Sequence, residues 1–319
     1  MTSYCIFQEP WWLDAVAGSA WQSLEVSHGG EIVARMPIVL RRKFGFAIIR
    51  QPPLTPILGP WIRPSCASAA RRMAQENRLL NDIVDHLPRW DYFEASFHHR
   101  VTNWLPFYWR GFEQTTRYTY VLEQISDLEK VWWHCQENVR RNIRKAQRKL
   151  QIRTDLRLNH LLDLVEATFR RQARGLPFSR DLMQRIDAAC SQRDARRMFF
   201  AEDAQGRIHA ALYLVVDKNF AYYLLGGADP ELRESGAQNL LLWEAIRCAS
   251  GMGLKFDFEG SMVESIERVF RAFGARQVPY LHVYGARPLA RTLLHIVPEK
   301  PLRTLWLGLS SPSRSTAPD

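Results

Sequence analysis

Sequence motifs that announce chemistry are scarce here. The 319 residues contain no HExxH pair, no GxxxxGK[ST] loop, no GxSxG elbow and no GxGxxG fingerprint. Zincins, P-loop enzymes, elbow-type serine hydrolases and Rossmann dehydrogenases are thereby excluded. Cysteine is sparse: Cys5, Cys66, Cys135, Cys190 and Cys248 are five in number, widely spaced and without a CxxC. That pattern argues against a disulfide framework or zinc cluster and for a reducing compartment. The nine histidines include one adjacent pair, His98-His99, and a strand would send those two rings to opposite faces, so no metal site is expected. No run approaches the ~20 apolar residues that span a bilayer. Met1 to Pro10 lacks both the basic start and the apolar run of a signal peptide, so the expected location is the cytoplasm. Acid is short relative to base, 33 Asp and Glu against 43 Lys and Arg, a net charge of +10. Such an excess favours an anionic partner: nucleic acid, a phosphorylated substrate, coenzyme A or an acidic membrane surface.

An apolar content of 46 % over this length is enough for two domains with cores. Pro10 opens a helix through Trp11, Trp12, Leu13 and Val16, and the two tryptophans read as core. A hairpin follows, from Ser23 to Leu40 around the turn His28-Gly29-Gly30. The proline-dense QPPLTPILGP cannot be a central strand and reads as a rigid loop. A helix over 67–87 and a strand over 92–97 lead to a short aromatic helix and a strand through Tyr118. The second half repeats that order: a helix over 161–172, a hairpin within 198–228, a helix over 238–250 and a strand. We read two copies of one α/β unit, at 1–130 and 131–300. A tail over 301–319 becomes too polar and too rich in Pro and Ser to pack at its end.

Between the halves lies NVRRNIRKAQRKL, residues 138–150. On a helix, Val139, Ile143, Ala146 and Leu150 share one side while Arg140, Arg141, Arg144, Lys145, Arg148 and Lys149 fan over the other. Cations this dense repel one another without counter-anions, so Arg141, Arg144 and Lys145 are candidate phosphate contacts.

The stretch Lys255 to Tyr280 organises the rest. Alternation in Phe256-Asp257-Phe258-Glu259 sends both carboxylates to one face of a short strand. Gly260 and Ser261 break it, Ser261 as a helix N-cap. Val263, Ile266, Val269, Phe270 and Phe273 then recur at helical spacing, and Gly274 stands at the C-cap position. Asp257 or Glu259 can accept an amine proton, Arg271 can hold a phosphate or an oxyanion, and Tyr223 and Tyr280 are hydroxyl donors near the same strand ends.

The run Phe270-Arg271-Ala272-Phe273-Gly274 resembles the closing F-[KR]-x-x-F-G motif of Fem-type aminoacyltransferases, relatives within the GNAT acyltransferase superfamily. Residues 138–146 resemble that family's R-x-N-I-[RK]-x-A pattern, and Thr168 to Arg171 its T-x-x-R. The resemblance implies tandem GNAT-like domains of α/β (α+β) class, each a mixed twisted sheet flanked by helices. It places Phe270 and Arg271 in aminoacyl transfer, although arginine cannot serve as a general base where the family has lysine. Arg171 becomes a binder of an anionic acceptor. In GNAT enzymes the loop before the corresponding helix binds coenzyme A pyrophosphate; here it supplies Arg233 and Gly236, but Gln238 replaces a small residue.

The expected activity is transfer of an aminoacyl group from tRNA to an amine acceptor, such as a small molecule or a cell-envelope precursor. No cofactor is permanently bound, and aminoacyl-tRNA is the co-substrate. An acyl-CoA-dependent N-acyltransferase is the alternative, and a non-catalytic protein that binds RNA or a membrane surface is a third reading.

Overall fold

A computed structural model describes residues 2–288 and residue 290; the expected tail at 301–319 lies outside them. The first half runs α1 (Pro10–Ala17), β1 (Trp21–His28), β2 (Glu31–Lys43), β3 (Phe46–Ile49), β4 (Trp61–Ile62), α2 (Ala69–Asp85), β5 (Tyr92–Ser96), α3 (Leu105–Tyr108) and β6 (Glu113–Leu122). Two helices, α4 (Leu128–His134) and α5 (Glu137–Gln147), join it to the second half. That half begins with β7 (Leu150–Arg153), α6 (Leu158–Arg171), α7 (Arg180–Ser191), β8 (Arg196–Asp203), β9 (Ile208–Val216) and β10 (Phe220–Ala228). It closes with α8 (Ala237–Gly251), β11 (Lys255–Asp257), α9 (Glu264–Ala272) and β12 (Arg276–Ala286).

Among the described residues all twelve strands belong to one sheet, ordered β1-β2-β3-β5-β12-β6-β11-β10-β9-β8-β7, with β4 beside β2. The centre is an exchange. β12, from the second half, lies between β5 and β6, while β6, from the first, lies between β12 and β11. Equivalent bonds mark the repeat: Phe97 N–H donates to Leu281 O at 2.8 Å, and Phe258 N–H to Tyr120 O at 2.9 Å. In each half a parallel pair precedes the exchanged strand, β3 with β5 and β10 with β11. Helices α2 and α8 occupy matching places in the element order.

Periodicity decides what each element buries. On α5, Val139, Ile143 and Ala146 point inward and are buried, as 3.6-residue spacing requires. Their core also holds α8, whose Leu240, Leu241, Trp243 and Ile246 are buried on several sides because the helix is covered. On the opposite sheet face α1, α6 and α7 pack over Tyr213, Val215 and Tyr222. In the first half α2 and α3 cover Met36, Ile38, Phe93 and Val283. Each such side chain contributes about 1.5–3 kcal/mol on burial.

Four local expectations change. Leu150 starts β7 instead of ending the basic helix. The expected hairpin within 198–228 is a three-stranded meander, β8 to β10. Helix α9 starts at Glu264, and Ser261 Oγ accepts the Val263 N–H at 3.0 Å without capping the helix. His98 and His99 follow the end of β5, so their rings are not forced apart and stack with centroids 4.1 Å apart.

Candidate active site

β10 and β11 are paired only from Phe220↔Lys255 to Tyr222↔Asp257; beyond that β11 stops while β10 continues to Ala228. The sheet splits there. A void of about 20 Å³ sits against the split, lined by Cys5, Pro56, Ile57, His98, His99, Thr119, Tyr222, Asp257, Glu259 and Tyr280. It has room for about one water-sized group.

Asp257 is buried, and its Oδ1 accepts from Thr119 Oγ1 and, at 2.8 Å, from Glu259 N–H. Burial pushes its carboxyl up to about 6 against those two bonds, which favour the charged form. Burial also drives Glu259 well above the usual carboxylate range, and the neighbouring Asp257 charge adds to the rise. Two carboxyl groups are thus held at one point with unequal tendencies to ionise. Backbone conformation fixes their placement. Glu259 has φ 64° and Gly260 φ 68°, a left-handed pair in which the non-glycine member carries strain. A Cβ on residue 260 would lie 2.1 Å from Tyr118 O, so only glycine passes β6 there. Burial pushes Tyr280 up to about 12 and raises Tyr222 well above its ordinary value, keeping both hydroxyls protonated. Burial lowers His98 to about 2 and His99 to about 4, which makes both rings neutral.

Tyr280 and Pro56 also line a trough of about 480 Å³ on the same sheet face. Its floor carries Arg41, Lys43, Ile48, Arg50, Glu94, Ser96, Arg117 and His282, and Pro177 lies along it from the loop after α6. Burial works to raise Glu94, but Arg50, 2.5 Å away, and the Tyr92 hydroxyl bring it below its ordinary value. His282 is 3.0 Å from Ser96 Oγ, and burial with the nearby Arg117 charge lowers it to about 4. The trough therefore presents arginine and lysine against one neutralised carboxylate.

The expected site residues divide between two faces. Asp257, Glu259 and Tyr280 meet at the void. Phe270 lies on the opposite face, its ring 4.9 Å from Phe258 and 6.1 Å from Tyr223. Arg271 is on the outer flank of α9, where its Nε donates to Glu267 Oε1 at 2.9 Å; Glu267 in turn accepts from Tyr120 at 3.0 Å. Arg141, Arg144 and Lys145 are exposed on α5, and Lys145 Nζ donates to Glu234 O at 2.7 Å. Arg233, Gly236 and Gln238 surround the start of α8. Arg171 ends α6, six positions before Pro177, which lines the trough. Sequence reasoning did not find Thr119, Tyr222 or the trough arginines; the cations at Arg41 and Lys43, two apart at the end of an apolar strand, were the available signal. Among the described residues no cluster suits a metal ion and no helix is long and apolar enough to cross a membrane.

Residues 134–262 match the family model described as an acetyltransferase (GNAT) domain. No curated protein matches the sequence. Among solved structures the chain is similar to FemX, with a TM-score of 0.66 at 11 % identity over 92 % of this chain and 95 % of that one. It is also similar to L-PGS from Bacillus licheniformis, with a TM-score of 0.52 at 11 % identity over 89 % and 90 % of the two chains. A third is the C-terminal domain of a putative lysylphosphatidylglycerol synthetase from Agrobacterium fabrum, with a TM-score of 0.52 at 12 % identity over 86 % and 87 %. Residues 134–262 thus match a GNAT domain, and the chain as a whole shares its fold with FemX, as the Fem-type resemblance led us to expect.

Proposed function

We propose that this GNAT-fold acyltransferase moves an aminoacyl group from aminoacyl-tRNA to a primary amine, forming an amide in the cytoplasm. The observation that carries the reading is the water-sized void lined by the Asp257 and Glu259 carboxyl groups beside a cationic trough. An amine nitrogen fits such a void, and the trough suits the anionic remainder of an acceptor, which Arg171 would help to hold. Asp257, the more readily ionised of the pair, takes the proton from the amine. The nitrogen attacks the ester carbonyl; a C–N bond forms, the ester C–O bond breaks and a proton passes to the departing ribose hydroxyl. Protonated Glu259 and the Tyr280 hydroxyl are donors for the carbonyl oxygen as charge develops. The ester already carries the activation energy, so alignment suffices and no nucleophile is needed.

In this reading the donor approaches from the other face through the split between β10 and β11. Phe270 and Tyr223 floor its entry, Arg271 and Arg233 flank it, and the α5 cations Arg141, Arg144 and Lys145 meet its phosphates. FemX, the structure most similar in TM-score of those reported above, shares this fold. The GNAT match favours a second reading, in which acyl-CoA is the donor. Packing at the start of α8 speaks against it: a Cβ on Gly236 would lie 2.5 Å from Asn142 O, so the α5 backbone already occupies one side of that loop.

The test is transfer of labelled amino acids from mixed charged tRNA to a panel of amine acceptors. Label in an acid-stable amide with wild type, lost in Asp257→Asn, is the expected result. Amide formation from acetyl-CoA alone would overturn the donor assignment, and full activity of the variant would overturn the site.

A further inference from the structure

The β2–β3 connection is a two-residue turn, Phe44-Gly45, closed by the Lys43↔Phe46 pair. Both turn residues are left-handed, with φ 50° and 81°, the combination of a type I′ hairpin that ordinarily selects Asn-Gly or Asp-Gly. Phenylalanine in the first position is strained. It is also, at 71 %, the most exposed large apolar side chain among the described residues. Two costs, a strained backbone and a ring in water, thus coincide at one residue. Lys43 Nζ lies over the ring, 5.7 Å from its centroid.

Three cations precede the ring. Arg41 and Arg42 are exposed, with no acidic partner among the described residues, and Lys43 follows. Successive strand residues point to opposite faces, so the positive charge surrounds the ribbon as a collar instead of tracking along one side. A collar with a protruding ring at its centre matches a planar anionic surface better than a linear polyanion. Arg41 and Lys43 also line the trough, so the tip stands at its rim.

We infer that the β2–β3 tip is a peripheral membrane contact: Phe44 enters the interfacial layer of an anionic bilayer while Arg41, Arg42 and Lys43 meet lipid phosphates. One ring and a few cations give a reversible attachment. This contact sets the mouth of the trough against the headgroups. It stands independently of the donor assigned above.

The experiment is sedimentation of the full chain with phosphatidylcholine vesicles, with and without phosphatidylglycerol, at low and high salt. Binding is expected only with phosphatidylglycerol, weakening as salt rises. Phe44→Gly should bind about tenfold more weakly, and Arg42→Ser about fivefold. Glycine is at ease at this φ, so Phe44→Gly should keep or raise Tm, which separates lost binding from lost folding. The inference is overturned if wild type stays in solution with phosphatidylglycerol vesicles, if it binds phosphatidylcholine equally well, or if Phe44→Gly binds as wild type does. It is overturned equally if the tip substitutions weaken binding of RNA while leaving vesicle binding intact.

Discussion

The two halves share an element order and exchange a strand, yet they are clothed differently. In the second half both sheet faces are covered, by α5 and α8 on one side and by α1, α6 and α7 on the other. In the first half α2 and α3 cover one face only. The helix that could have covered the other, α1, packs instead on α7. What remains open is the trough, with Arg41, Arg50 and Arg117 on its floor. The covered half thus encloses the Asp257 and Glu259 carboxyl groups, while the half with one bare face offers a trough lined by cations. The contrast suggests a division of labour in which chemistry resides where the sheet is buried and acceptor recognition where it is bare.

Substitutions sharpen that contrast, beginning with the enclosed half. Asp257→Asn should lower the transfer rate by about 10²–10⁴-fold. The same change should stabilise the fold. The Asp257 carboxyl lies at about 6, above its ordinary 3.8. A raised carboxyl is costly when ionised, so this group's cost is full above pH 6 and absent below 3.8. Wild type should therefore gain stability from it as pH falls through that window. At pH 8 the variant should be more stable by at most about 3 kcal/mol, read from urea unfolding of both proteins. The acidic limb of the wild-type pH–rate profile should fall near pH 6 and belong to the Asp257–Glu259 pair jointly.

Gly236→Ala tests the seam between α5 and α8. The new Cβ would meet Asn142 O at 2.5 Å on a residue with φ 83°. A loss of about 3 kcal/mol is expected in the same unfolding experiment. On the open half, Arg117→Ala should raise KM for the acceptor about tenfold, with a smaller fall in kcat because Arg117 also hydrogen-bonds Tyr280. The smallest effect belongs to Arg271→Ala. Arg271 itself is exposed, and its half-buried partner Glu267 keeps the Tyr120 hydroxyl, so Tm should hardly move and only KM for charged tRNA should rise. A fall in kcat there would shift the chemistry to the α9 face.

Local rules made much of this legible in advance. Alternation in Phe256-Asp257-Phe258 correctly set Asp257 apart from the phenylalanines, whereas Glu259 lies past the end of β11 and is placed by its left-handed backbone; 3.6-residue spacing identified the buried side of α5. Gly274 also ends α9 with φ 78°. The exchange of β6 and β12 was hidden, because strand order depends on pairing between residues more than 150 positions apart, such as Arg276 and Val121. With it were hidden Thr119 and Arg117, which reach the site only because β6 crosses to the second half. The separation of Phe270 and Arg271 from Asp257 was hidden for the same reason: sequence spacing reports proximity along the chain, and here a sheet stands between.

Donor binding tests the central claim most directly. Purified protein would be titrated with mixed aminoacylated tRNA and with acetyl-CoA at two salt concentrations. Saturable tRNA binding that weakens steeply with salt, and weakens further in Arg141→Glu with Arg144→Glu, is the result this account predicts. Tight binding of acetyl-CoA with none of tRNA would contradict it, and would mean that the α8 loop admits a pyrophosphate despite Gly236 and Gln238.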